Sequence, residues 1–352
     1  MPAPYSILTL DLHNTIYDET MEYGPAIEAA IAVWTEAAEK HGTKLTQKVL
    51  FDELAAGHRK LASDWDGEVW RFLPSLARLG LEEAEFQAIM AEAENRRNEA
   101  SRQLTLKGYY AGAHETLSAL KARGVRIYVV TEAAADAGMK AIAWLKLGGV
   151  VDGIYSYPSR SMPTSSAVTR HKPFPDAASG GFLRKPHPFI LASVVLDESI
   201  RRGEIPPGVQ LGDVFAVSQD ASLRLRELPD DAPVQQDVCA RLALKPTPHA
   251  AALRRMMDKM LYIGDSKFKD GLLARNAGVA FGYAAYGKKI KPEDAAKHPH
   301  NLEVMYATTG WDRQVMKLTQ EAGKSSSVAS LRPEFTFEDS LDEALGLFAA
   351  QS

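Results

Sequence analysis

Asp11 closes a short apolar run, Tyr5-Ser-Ile-Leu-Thr-Leu10, and is followed by the polar turn Leu12-His13-Asn14-Thr15. A buried strand that stops at a carboxylate holds it rigidly, with room for a ligand beyond the carboxyl end of a parallel sheet. A carboxylate so placed can attack phosphorus and form an acyl-phosphate that water later cleaves. Two anions then meet, so a cation is needed between them. Mg²⁺ suits that task, because it accepts one or two carboxylates and keeps its other positions for water and phosphate oxygen. Asp265 ends a second apolar run, in Leu261-Tyr-Ile-Gly-Asp-Ser-Lys-Phe-Lys-Asp270, and is the matching ligand. Asp270, five residues later at a helix start, would hold Asp265 or a metal-bound water. Thr131, after Tyr128-Val-Val130, offers a hydroxyl and a backbone N–H to phosphate oxygens. A lysine would complete the neutralisation of charge in the transition state.

Each residue alone has a plainer explanation. An aspartate after a strand commonly caps a turn or a helix, a threonine does the same, and Gly264-Asp265-Ser266 by itself is a β-turn. Asp270 alone is an acidic residue favoured by a helix dipole. Their joint order carries the argument, since each follows an expected strand at a spacing that fits successive crossovers.

Three turns of the form Lys-Pro-x-Pro begin at Lys172, Lys185 and Lys245, and one position is open. Proline after the lysine fixes an extended backbone and favours a helix start just beyond. Lys172 is followed by Asp-Ala-Ala-Ser-Gly-Gly and ranks last. Lys185 precedes a good helix, but about sixty residues of irregular sequence then follow before the next expected strand. Lys245 leads through a helix near His249 directly to the strand Met260-Leu-Tyr-Ile263. The spacing therefore favours Lys245, with Lys185 in reserve.

The elements that position these groups fall into distinct spans. Residues 18–105 read as helical: Ile27, Ile31 and Trp34 share one face, and Phe86, Ile89 and Met90 another after the break at Gly80. These aromatics are expected to be core. From 106 to 156 a helix carrying Leu117 and Leu120 precedes the run Val125-Arg-Ile-Tyr-Val-Val130, a strand buried on both sides, and Met139–Leu147 is a further amphipathic helix. Such alternation predicts right-handed crossovers and a parallel sheet. The span 157–243 is rich in Pro, Ser and Gly, interrupted by a helix near 188–202, and reads as a loop-rich insertion outside the core repeat. Regular alternation resumes over 244–352 and closes with a strand at Phe335-Thr-Phe337. The fold class expected is α/β, with residues 1–17, 106–156 and 244–352 forming the core.

Composition bounds the rest. The chain has 352 residues, a formal charge of −4 and 45% hydrophobic residues, which offers no basic surface for nucleic acid. A single cysteine, Cys239, excludes an intramolecular disulfide and has no evident base beside it. No apolar run approaches the roughly 18 residues of a membrane helix, and Met-Pro-Ala-Pro-Tyr has no signal-peptide character. A cytoplasmic protein, monomer or homodimer, is expected. His298 and His300 lack Cys or carboxylate company and are expected in a surface loop.

Taken together, Asp11-Leu-His-Asn-Thr15, Val129-Val-Thr131, a Lys-Pro-x-Pro lysine and Gly264-Asp-Ser-Lys-Phe-Lys-Asp270 resemble the motifs of the haloacid dehalogenase-like (HAD) hydrolase superfamily. Ala277-Gly278-Val279 and Ala284-Ala-Tyr-Gly287 continue the resemblance. It implies a Rossmann-like core, Asp11 as nucleophile, Mg²⁺ as cofactor, a small phosphorylated substrate, and a helical cap over 18–105 that selects it. It also implies that the residue two after the nucleophile acts as general acid and lends a backbone carbonyl to the metal. That residue is usually aspartate; here it is His13, whose imidazole can exchange a proton near neutral pH. The departure keeps a carbon–halogen or carbon–phosphorus hydrolase open, although Asp265 and Asp270 argue for a metal and so against a dehalogenase. A non-catalytic binding protein on this fold is the third reading.

Overall fold

The computed structural model describes residues 5–61, 69–105, 109–110, 112–158, 170–175, 183–220, 233–288 and 332–348. Seven strands form one sheet in the order β4-β3-β2-β1-β7-β8-β9. They are β1 (Ile7–Leu10), β2 (Arg126–Ala134), β3 (Gly153–Tyr157), β4 (Arg170–Pro173), β7 (Met260–Gly264), β8 (Ala280–Ala284) and β9 (Phe335–Phe337). Every pairing among them is parallel. Two further strands, β5 (Phe215–Gln219) and β6 (Ala240–Leu244), make a separate antiparallel pair.

Why β1 reads as an unbroken apolar run is clear from its burial: all four residues are covered. Successive side chains leave a strand on opposite faces, so the two faces pack against different helices. Leu8 and Leu10, with Ile127 and Val129 of β2, join Leu117 and Leu120 of the helix Ala113–Ala122 and Ile142 of Ala135–Trp144. Ile7, Tyr128 and Val130 face the other way, toward Leu191 and Val195 of the helix Phe189–Arg201 and Leu253 and Met256 of Ala250–Asp258. The sheet is thus wound on both sides, as the expected α/β class requires.

β1 sits between β2 and β7, and the chain winds outward from it in both directions. Leu10 is in register with Val129 on one side and Ile263 on the other. A crevice beyond the carboxyl ends of the strands is the usual ligand site of such a sheet, and it opens where the strand order reverses. Asp11, Thr131 and Asp265 all belong to that edge.

The span 157–243 differs from its expected character. Rather than standing apart from the core, it supplies β4 on the sheet edge and the helix Phe189–Arg201, buried in the second core cluster. The helix is expected near 188–202 but not its place in the core; β4 is hidden because it is only four residues long, Arg-His-Lys-Pro, with no apolar alternation. Among the described strands, only the β5–β6 pair lies outside the parallel sheet. β2 also runs further than expected, through Thr131 to Ala134, with a break in register between Val130 and Ala134.

A second compact unit begins at Asp18. Among its described residues the helices are Glu19–Lys40, Gln47–Leu61, Pro74–Ala77 and Glu83–Thr105. Ile27, Ile31 and Trp34 form the expected stripe and are buried with Leu50, Leu54, Trp70 and Leu73. The Trp34 ring lies 5.1 Å from Phe86 and 5.8 Å from Trp70, centroid to centroid. Among the described residues no helix is long and apolar enough to cross a membrane. His298 and His300 lie outside the described residues.

Candidate active site

Asp11 is the first residue beyond β1, and its backbone N–H donates to Ile263 O of the neighbouring strand at 2.9 Å. The turn behind it closes tightly. Asn14 N donates to Tyr17 O at 2.7 Å and Ile16 N to Leu12 O at 3.0 Å. Asn14 takes a positive φ of 55°, a conformation that asparagine tolerates better than most side chains. The turn is pressed from outside by Gly287: a Cβ there would stand 1.7 Å from Asn14 O, so only glycine admits this approach. Tyr286 adds a 2.7 Å hydrogen bond from its hydroxyl to Thr15 O. His13 lies on this turn, partly buried, with its ring edge-on to Tyr17 at 5.3 Å.

Asp265 follows β7 directly and is buried. Asp270 folds back over the same loop. Its Oδ2 accepts Ser266 N at 3.1 Å, and its Oδ1 accepts the Tyr262 hydroxyl at 2.7 Å. Burial and the surrounding carboxylates push the Tyr262 phenol far above its usual range, so it remains a proton donor. Gly264 is needed for this fold-back, since a Cβ there would fall 2.3 Å from the Asp270 carboxyl. Oxygens of Asp11, Asp265 and Asp270 lie within 4.8 Å of one another.

The lysine of this site is Lys185. Its ammonium stands 2.8 Å from Asp11 Oδ1 and 2.8 Å from Asp270 Oδ1, and the residue is 2% exposed. Burial pushes the ammonium down, but Asp11 and Asp270 outweigh it and hold the lysine above its ordinary range. Lys245, the expected residue, is exposed and donates to Gly212 O. The reason is the β5–β6 pair: Lys245 follows β6, and its backbone N–H bonds Val214 O just before β5. It is thereby tied to the hairpin. Lys172 pairs with Asp197 at 3.0 Å on β4.

Thr131 is buried within β2, and its hydroxyl accepts Ala133 N at 3.2 Å. The structure therefore brings Asp11, Asp265, Asp270 and Lys185 together and leaves Lys245 outside. The reading of residue types missed Tyr262, Glu132 and Asn276. Tyr262 had a signal, because a tyrosine inside a fully buried strand must find a partner for its hydroxyl. Asn276 is buried on the helix Leu272–Ala277, and its amide donates to Pro186 O, Asp237 O and Val238 O at 3.2–3.4 Å. It had no such signal, since its partners are carbonyls of distant segments.

Among the described residues, the carboxylates of Asp11, Asp265 and Asp270 cluster around the buried Lys185 ammonium. The Asp11 carboxyl is pushed up to about 7, because burial, with Asp270 and Asp265 beside it, outweighs the downward pull of Lys185. A hard divalent cation fits a donor set made of carboxylate oxygens and eases their mutual repulsion.

No protein-family model and no curated protein matches the chain. Among solved structures it is similar to a magnesium-bound form of YfnB from Bacillus subtilis, named as a HAD-hydrolase, at 15% identity and a TM-score of 0.41, covering 97% of this chain and 98% of that one. It is also similar to a predicted phosphoglycolate phosphatase from Haemophilus somnus, at 14% identity and a TM-score of 0.40, over 98% of both chains. The L-2-haloacid dehalogenase of Xanthobacter autotrophicus gives 15% identity and a TM-score of 0.41, over 97% of this chain and 98% of that one. At such distances the chemistry has to be argued from this chain's own residues.

Proposed function

We propose that this protein is a HAD-like, Mg²⁺-dependent phosphatase that hydrolyses a small organic phosphate through an aspartyl-phosphate on Asp11. One observation carries the reading: a buried ammonium, Lys185, bridges Asp11, just beyond β1, and Asp270, on the loop after β7, with Asp265 as a third carboxylate beside them. That arrangement supplies a nucleophile, a cation to neutralise a phosphoryl oxygen, and oxygen ligands for a metal.

Asp11, Asp265 and Asp270, with the backbone carbonyl of His13, are the groups that would hold Mg²⁺. When bound, the ion would screen the phosphate from Asp11 and polarise the phosphoryl group. The protein's own residues do the rest. Asp11 Oδ attacks phosphorus in line with the leaving oxygen, and the P–O bond to the leaving group breaks. His13 gives that oxygen its proton. Lys185 balances the charge that gathers on the phosphoryl oxygens, and the Thr131 backbone helps to hold them. His13 then takes a proton from the water that attacks phosphorus, releasing inorganic phosphate and restoring Asp11. The Asp270 carboxylate, fastened by Tyr262 and Ser266, keeps Lys185 on its target.

The alternative is cleavage of a carbon–halogen bond by the same Asp11, and it draws on His13 standing where phosphatases of the family carry aspartate. A panel of phosphate monoesters and 2-haloacids, assayed with Mg²⁺ and with a chelator, separates the two. Phosphate release that needs Mg²⁺ is expected; halide release that persists in chelator would replace the phosphatase reading.

A further inference from the structure

Glu132 follows Thr131 in β2 and serves none of the steps above. It nevertheless gathers three elements at the edge of the site. Its Oε1 accepts the backbone N–H of Lys185 at 3.2 Å and the Tyr157 hydroxyl at 3.4 Å. Its Oε2 pairs with the Lys269 ammonium at 3.1 Å, one residue before Asp270. Both members of that pair are largely buried, at 25% and 20% side-chain exposure. One carboxylate on β2 thus holds the main chain of the segment that carries Lys185, and also the loop that carries Asp265 and Asp270.

We propose that Glu132 is a positioning residue that fixes the Lys185 ammonium between Asp11 and Asp270. The inference rests on Lys185 being the lysine of the reaction. Its physical basis is the place where Glu132 grips. A lysine side chain has a long, rotatable stem, so its ammonium is held only as well as its backbone is. Lys185 lies in a connection, not within a helix or strand, and no regular ladder bond anchors its N–H. A charged acceptor on a rigid strand replaces that ladder bond with a stronger one. The second grip, on Lys269, ties the Asp270 loop to the same point, so that both partners of the Lys185 ammonium are referenced to β2. Asn276 anchors the next residue in the segment through Pro186 O. It is neutral and shares its amide among three carbonyls, which leaves Glu132 as the charged anchor of Lys185 itself.

The test pairs a structural readout with a kinetic one. Trace acetylation, followed by mass spectrometry, gives the reactivity of each lysine in the folded protein; Lys172 and Lys245 serve as exposed references. Lys185 should be nearly unreactive in the wild type. Glu132→Ala should raise its reactivity severalfold while Lys172 and Lys245 stay unchanged. It should also lower kcat on a phosphate monoester by about 10–100-fold with a smaller change in KM. Glu132→Gln keeps an acceptor for the Lys185 N–H and should restore most of both. Should Glu132→Ala fail to fold, Glu132→Asp, too short to reach both partners, carries the same expectation. Wild-type Lys185 reactivity in the Ala and Asp variants would overturn the proposal, as would a Gln variant no better than Ala. A wild type that releases no phosphate from any ester would count against the phosphatase reading alone, because the acetylation result still decides the role of Glu132.

Discussion

Lys185 Nζ lies 2.8 Å from Asp11 Oδ1 across 174 positions of sequence. The contact joins a connection that precedes the helix Phe189–Arg201 to the end of the first strand, and around it the charge of the site is organised.

Removing that ammonium should therefore be far more costly than removing the one at Lys245. Lys185→Ala should reduce kcat by roughly 10²–10³-fold, the usual cost of deleting a charge-stabilising donor. Lys245→Ala removes an exposed side chain bonded to Gly212 O and should leave turnover near wild type. Steady-state kinetics of the two variants on one phosphate ester check both statements, and the reverse ranking would sink the assignment of Lys185.

Asp11→Asn keeps the shape of the proposed nucleophile without its charge. Turnover should fall by more than about 10³-fold. The fold should survive, because the substitution removes a carboxyl whose ionisation burial already opposes. Circular dichroism together with the activity assay tests the pair of expectations; substantial residual turnover would exclude covalent catalysis by Asp11.

For His13 the expectation depends on the leaving group. If its imidazole protonates the departing oxygen, His13→Ala should slow hydrolysis of alkyl phosphates by about 10²–10⁴-fold. p-Nitrophenyl phosphate, whose leaving group needs little protonation, should be affected much less. Equal losses on the two substrates would mean that His13 shapes the turn and transfers no proton. Recovery in His13→Asp would show that the position faces the leaving group.

Away from the site, Glu198 predicts a pH dependence of stability. It is fully buried; burial pushes its carboxyl up, but hydrogen bonds from Arg201, Tyr128 and Arg202 outweigh that and hold it at about 2. A carboxyl depressed in the folded state contributes stability that is present above its unfolded value and is lost as pH falls through the folded one. The contribution should be complete above about pH 5 and disappear toward pH 2, with a size of roughly 3 kcal/mol. Denaturant unfolding of wild type and Glu198→Gln between pH 3 and 7 measures it. The gap between the two should narrow on acidification, and a constant gap would show that the carboxylate charge is not what matters.

Much of this molecule is legible along the chain. Periodicity alone marks Ile27, Ile31 and Trp34 as a helical stripe, and unbroken apolar runs mark β1 and β7 as strands covered on both faces. The carboxylates follow those strands directly, so local pattern is enough to bring Asp11 and Asp265 to one edge of a parallel sheet. What local pattern could not decide was which Lys-Pro-x-Pro turn meets them. The compact helix–strand step that follows Lys245 favours that lysine, whereas β6, just before it, pairs antiparallel with β5 and takes Lys245 with it. Conversely, β4 has too few apolar residues to announce itself, yet it extends the sheet and makes the segment around Lys185 part of the core. Strand partners are chosen by contacts between distant segments, and a lysine's neighbours follow from those choices. Glu132 shows the same limit: its residue type was visible beside Thr131, but its value lies in the N–H of Lys185, 53 positions away, which only the folded chain brings to it.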